Sequence, residues 1–204
     1  MVSIITGDII NSRKIEPTLW MVPLKEILNG QGNEPKAWEI FRGDHFQLEV
    51  KPPEESLLIA IKIKANIRSI KGVDVRMAIG IGEKTHDAPK ISESNGSAFI
   101  HSGESFEKLK DQTLSLKTPW SEIDEEMNLA ISLALMTMDG WTPAGAEIVK
   151  MRLEHPKANQ NELAEILNIS QGRVSERLKR AGWEQIQKLE TRFRQLINNQ
   201  IKLK

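Results

Sequence analysis

Asp8 follows the short apolar run Val2 to Thr6, and Asp44 sits in Gly43-Asp44-His45 between two further β-type runs. Two carboxylates side by side, together with substrate phosphates, are the usual means of holding Mg²⁺. Behind Asp8 comes the polar turn Asn11-Ser12-Arg13, ahead of a helix. Such a turn can present backbone N–H groups and a guanidinium to phosphate oxygens. The expected ligand is Mg²⁺ with a nucleotide, the metal on Asp8 and Asp44 and the phosphates on Asn11, Ser12 and Arg13. A plainer alternative stays open, with Asp8 as a helix N-cap and Asp44 as a turn former. The four histidines show no metal-ligand spacing, and there is no Gly-rich Walker loop or Ser nucleophile elbow. Cysteine is absent, which removes disulfides, thiolate zinc sites and cysteine nucleophiles together.

A second chemistry lies near the C-terminus. The chain as a whole is neutral, with 28 Lys and Arg against 28 Asp and Glu. From Gln171 onward, however, nine basic residues face only Glu176, Glu184 and Glu190. Phosphates can read a basic end of this kind. With Val174 and Leu178 turned inward at helical spacing, Gly172, Arg173, Glu176, Lys179 and Arg180 face out, and Gln171 sits at the helix start. Gln171, Gly172, Arg173, Ser175, Glu176, Lys179 and Arg180 are therefore the candidate contacts to double-stranded DNA. In the major groove Arg reads guanine and Gln reads adenine, while Gly172 lets the backbone come close.

The elements that must position these groups follow from periodicity and punctuation. Residues 2–6, 38–42, 46–50 and 75–81 read as strands, and 113–117 as a last one. Residues 17–29 read as a helix, with Pro23 as a possible kink point. Pro52-Pro53 opens a second helix to about Ile70, and a third runs from about Ala98 to Leu109. The order strand, helix, hairpin, helix, strand is the split βαβ, ferredoxin-like arrangement, which places the first strand beside the hairpin. An α+β domain over residues 1–120 is thus expected, ending at Thr118-Pro119-Trp120. A connecting helix, 121–142, leads to an all-α domain, 143–204.

Within that last region Pro143 to Glu154 reads as one helix. Asn159 with Glu162 forms a capping box for the next, and Ser170 caps the third. Asn168 suits the left-handed turn between them, and Ala164 permits a close crossing. After Gly182, the residues Ile186, Leu189, Phe193, Leu196, Gln200 and Leu203 recur at spacings of three and four. That is a coiled-coil seam, which predicts a homodimer through the tail; the alternative is a helix packed on its own chain. No run of about 18 apolar residues and no signal-peptide pattern occurs. A cytoplasmic protein with no membrane contact is expected.

Two resemblances add to this reading. The string from Asn161 to Ser175 resembles a helix-turn-helix of the sigma-factor region-four and response-regulator kind, with Asn168 in place of the usual turn Gly and Arg177 at a commonly small or apolar position. Gly7-Asp8-Ile9-Ile10-Asn11-Ser12-Arg13, Gly43-Asp44-His45-Phe46-Gln47, Arg76 to Gly82 and Gly96 to Phe99 look like the motif series of the SatD family. They also resemble the palm of nucleotidyl cyclases, including the GGDEF diguanylate cyclases. That likeness implies a palm-type fold and two metal-binding aspartates, Asp8 and Asp44. It departs at Ile100 and Glu104, where cyclases carry an Asn and an Arg that orient ribose and stabilise phosphate charge. A dimeric DNA-binding transcriptional regulator with a nucleotide- or phosphate-sensing, cyclase-like domain is the expected function. The alternatives are a metal-dependent cyclase or related phosphoryl-transfer enzyme, and a DNA-binding protein whose first domain only dimerises.

Overall fold

The computed structural model describes residues 1–203, so Lys204, counted above in the basic end, lies outside the described residues. Strand β1 (Val2–Ile10) leads through a short 3-10 turn to helix α1 (Pro17–Asn29), then β2 (Trp38–Phe41) and β3 (His45–Val50). A 3-10 turn at Pro53–Glu55 enters α2 (Ser56–Arg68), followed by β4 (Asp74–Gly82), α3 (Ser97–Lys108) and β5 (Leu114–Lys117). The rest is helical: α4 (Ser121–Met138), α5 (Pro143–Glu154), α6 (Gln160–Leu167), α7 (Gln171–Arg180) and α8 (Trp183–Lys202). None of the described helices is long and apolar enough to cross a membrane.

The sheet order is β2-β3-β1-β4-β5. All neighbours are antiparallel except β4 and β5, which are parallel. Central β1 is buried on both faces, as a strand with helices above and below must be. Its alternating side chains divide between two cores. Val2 and Ile4 pack with Ala98 and Phe99 of α3, whereas Ile5 and Ile9 join the core beneath α1 and α2. Gly80 lets α3 lie directly on β4: a Cβ there would stand 2.2 Å from the Ser102 backbone nitrogen. Pro23 does not delay α1, which starts at Pro17 as the composition suggested.

The expected break at Thr118-Pro119-Trp120 is a turn of the chain and not a gap in its packing. One cluster of buried apolar side chains runs from Ile5 through Ile131, Ile148 and Val149 to Ile197. Helix α2 is the reason. Leu57, Ile59, Ala60, Ile61, Ile63, Ala65 and Ile67 bury it nearly all round. A helix apolar on every side must be covered on every side. It lies against the sheet through β4 and against α5 and α8 on the helical side.

The tail also departs from expectation. Ile186, Phe193 and Ile197 form its buried face, and Leu203 is 81% exposed. The helix packs on α4 and on the turn before α2. Arg192 pairs with Glu126 of α4 at 2.8 Å, and Arg194 pairs with Glu55. Ile186 and Phe193 of the seam are therefore covered within the chain, with Leu189 and Leu196 partly buried against the same core. The three-and-four spacing is the same for either partner, so periodicity could not choose between them.

Candidate nucleic-acid interface

Local chemistry sets each end of the helices α5, α6 and α7. The Thr142 side chain accepts from the Gly145 N–H at 3.1 Å, and Pro143 occupies the first turn of α5. Asn159 accepts from the Asn161 and Glu162 N–H groups, and Glu162 accepts from the Asn159 N–H at 2.6 Å, closing the expected capping box. Asn168 is left-handed (φ 51°, ψ 47°), so the departure from the usual glycine is one that Asn tolerates. The Ile169 N–H then bonds the Ala164 carbonyl at 3.0 Å, and Ser170 caps α7 through the Arg173 N–H.

Three contacts hold α7 in place. Val174 and Leu178 are buried in the same core as Leu163 and Ala164 of α6. Arg177, half-buried, pairs with Glu147 of α5 at 3.2 Å. The Trp141 indole N–H donates to the Ala181 carbonyl at 3.0 Å, tying the start of α5 to the end of α7. The opposite face is open. Gln171, Gly172, Arg173, Ser175, Glu176, Lys179 and Arg180 are all exposed. Nothing lies within 4 Å of a Cβ built on Gly172, so no internal contact requires a glycine there. Glu176 pairs with Arg180 at 2.7 Å, while Arg173 and Lys179 form no ion pair among the described residues. Gln171 donates to Gln160 of α6 at 2.6 Å. Asn161 and Glu165 of α6 line an open groove with Gln171 and Arg173. Sequence reasoning passed over those two α6 residues, although the short turn at Asn168 was the signal that brings them beside the start of α7.

The other predicted cluster is assembled differently. The β1 register sets Asp8 between His45 of β3 and Arg76 of β4. Arg76 donates through Nε and Nη2 to the two Asp8 oxygens, each at 2.8 Å. This fork raises the pKa of the guanidinium above its ordinary value, the Asp8 hydrogen bond being the largest cause. Asp44 accepts from the Ser12 hydroxyl at 2.5 Å and lies 3.1 Å from Nδ1 of His45, whose Nε2 is 3.8 Å from Asp8. The Phe106 ring sits 5.1 Å from the Arg76 guanidinium. Asp8 and Asp44 thus meet at one place, with Ser12 turned in. Asn11 is exposed and bonds the Gly72 carbonyl at 3.3 Å, and Arg13 is exposed outside the cluster.

The expected Mg²⁺ would share Asp8 with a guanidinium. Each oxygen of Asp8 accepts one guanidinium N–H, and the charge of Arg76 competes with a metal for that carboxylate. Of the positions that depart from cyclases, Ile100 is 53% exposed and Glu104 pairs with Lys117 at 3.7 Å. The role of Arg76 was hidden because it depends on strand register across more than sixty intervening residues.

Helices α5 to α7 with their αL turn define a helix-turn-helix. Residues 138–182, from the end of α4 to the glycine before α8, match the family model described as Sigma-70, region 4. The match does not reach residues 1–137, where the SatD and cyclase likeness rests on the motifs alone. No curated protein and no solved structure matches the chain.

Proposed function

We propose that this protein is a transcriptional regulator that binds double-stranded DNA by inserting α7 into the major groove. The observation that carries the reading is the exposed face of α7. It holds every predicted contact residue, while Val174 and Leu178 anchor the helix from behind. Arg173 and Lys179 carry charge that no carboxylate of the described residues answers, which suits phosphate and base-edge contacts. The neutral chain confines this potential to one end, so binding should weaken steeply with salt.

The four-stranded part of the sheet has the connectivity of the split βαβ unit, which supports a ferredoxin-like reading, with β5 added in parallel at the edge. Homodimerisation belongs to the proposal too. With Ile186 and Phe193 of the α8 seam covered within the chain, the support comes from α4, where Leu129, Leu133 and Met136 are 65%, 60% and 80% exposed at helical spacing. A role for the sheet half in sensing a phosphate ligand would rest on Arg13 and the motifs, with any metal at Asp8 and Asp44 in competition with Arg76. No reaction is assigned to it.

The test uses the full chain. Duplexes selected from a random pool are titrated by fluorescence anisotropy. Arg173→Ala should cost about 1–3 kcal/mol in binding and relax preference at one base pair, while Lys179→Ala should weaken all duplexes alike and lower the salt slope by about 1. Equal affinity of wild type and both variants would remove α7 from the interface. Light scattering before and after Leu133→Glu checks the dimer.

A further inference from the structure

Outside the helix-turn-helix face, a cleft of about 290 Å³ opens between α2, α5 and α8. Leu58 and Ile61 of α2, Leu153 of α5, and Trp183 and Ile186 of α8 supply apolar walls. Lys62 and Arg152 line the same space. Its one carboxylate, Glu190, is already held by Arg194 at 2.6 Å, and Arg194 also takes nearby Glu55. Lys62 and Arg152 are left without an ion pair among the described residues; Arg152 bonds only the Ala158 carbonyl. After the Arg194 hydrogen bond, the charge of Lys62 also acts on Glu55 and helps hold its carboxyl low, but neither Lys62 nor Arg152 is taken up in an ion pair among the described residues. The cleft therefore combines a half-buried indole and aliphatic walls with two cations outside any ion pair. Its volume lies at the lower edge of the range typical of small-molecule sites, about 300–1,000 Å³.

We propose that this cleft binds a small organic anion with an apolar body. Its carboxylate lies between Lys62 and Arg152, and its body packs on Trp183, Leu153 and Ile61. Two independent features select this class: apolar walls disfavour a bare inorganic ion, and the two cations without an ion pair disfavour a neutral hydrocarbon. The walls come from both halves of the molecule, and α5 and α8 both touch α7. A bound anion would bridge α2 to the helices on either side of the recognition helix. The inference concerns ligand binding and stands whether or not α7 meets DNA.

The test is a titration of the ¹⁵N-labelled full chain. The five tryptophans provide separate indole N–H signals, and Trp183→Phe identifies the one in the cleft. The probes are naphthalene-1-acetate and its neutral analogue 2-(1-naphthyl)ethanol. Naphthalene-1-acetate should shift the Trp183 signal saturably and leave Trp20 and Trp38 in place. The alcohol should bind about tenfold more weakly, as loss of a charge-assisted hydrogen bond implies, and so should the acetate with Lys62→Met. Lys62→Arg should restore binding. No saturable shift at Trp183, equal binding of acid and alcohol, or undiminished binding by Lys62→Met with its spectrum otherwise native would each overturn the proposal.

Discussion

Replacing Lys64 by methionine should loosen the joint between the sheet and the helix-turn-helix. Lys64 lies on α2 and is fully buried. Its ammonium reaches Asp74 at 3.1 Å, the Thr113 hydroxyl at 2.8 Å and Asp139 at 2.7 Å, so its three donors meet three acceptors. Asp74 opens β4, Thr113 precedes β5, and Asp139 ends α4 just ahead of the helix-turn-helix. One turn further along α2, Arg68 bonds Asp74 at 3.1 Å and the carbonyl of Asp139 at 2.7 Å. Methionine keeps most of the volume and removes the charge. Breaking a buried pair from one side typically costs about 3–5 kcal/mol. Here Asp74 retains Arg68 and the Val75 N–H, while Asp139 retains Thr113 and a side chain 34% exposed. The expected loss is therefore near the lower end, about 3 kcal/mol. For a chain of this length that is a fall in Tm of about 6–12 °C.

Urea unfolding followed by far-UV circular dichroism and tryptophan fluorescence reads the effect. The midpoint should fall with the slope unchanged, and both probes should report one transition. Adding Asp139→Asn should recover about 1–2 kcal/mol, because it removes a carboxylate left without its cation. A loss below about 1 kcal/mol would falsify the lock as described. Two separate transitions in the wild type would show that sheet and helices unfold independently, against the continuous core.

Three further outcomes are expected. Burial pushes the Asp124 carboxyl above its usual range, although the Thr118 N–H donates to it at 2.8 Å. A raised carboxyl destabilises the fold once ionised, a penalty absent below the unfolded value and complete above the folded one. Asp124→Asn should accordingly raise Tm at neutral pH and not in acid, as calorimetry at both would show. The Arg194 hydrogen bond, before any other cause, holds Glu55 below the ordinary glutamate range. That stabilisation is present above the unfolded pKa and lost as pH falls through the folded one. Glu55→Gln should speed hydrogen exchange in α8 at neutral pH, by about 1 kcal/mol or less for so exposed a pair, and the difference should vanish in acid. Gly172→Ala meets open space, so it should stabilise the helix by up to about 1 kcal/mol while weakening DNA binding. A destabilised Gly172→Ala protein with unchanged affinity would contradict both halves of that expectation.

The local elements were legible because their causes are local. Asn159 and Glu162 meet across three residues, Ser170 caps the helix it precedes, and Asn168 supplies its own left-handed turn. The exposed face of α7 follows from Val174 and Leu178 alone. Helix α2 was half legible. Its nearly unbroken run Leu57 to Ile61 announces burial on every side, but does not name the covering surfaces. The tail was half legible for the same reason: an apolar stripe records that a partner exists, and the spacing is equal for α4 and for a second copy.

Strand order up to the hairpin, the helix ends and the outward face of the recognition helix were determined by the sequence itself. Periods of two and 3.6 residues and single capping side chains act over a few positions. Tertiary structure decided which charges far apart in sequence meet. Arg76 closes on Asp8 only because β4 pairs with β1 in one register, which gives the expected metal ligand a guanidinium partner. Lys64 reaches Asp74 and Asp139 only because α2 is sandwiched between sheet and helices. Electrostatic partners are chosen by distance in space, and that distance exists only after the apolar faces have packed.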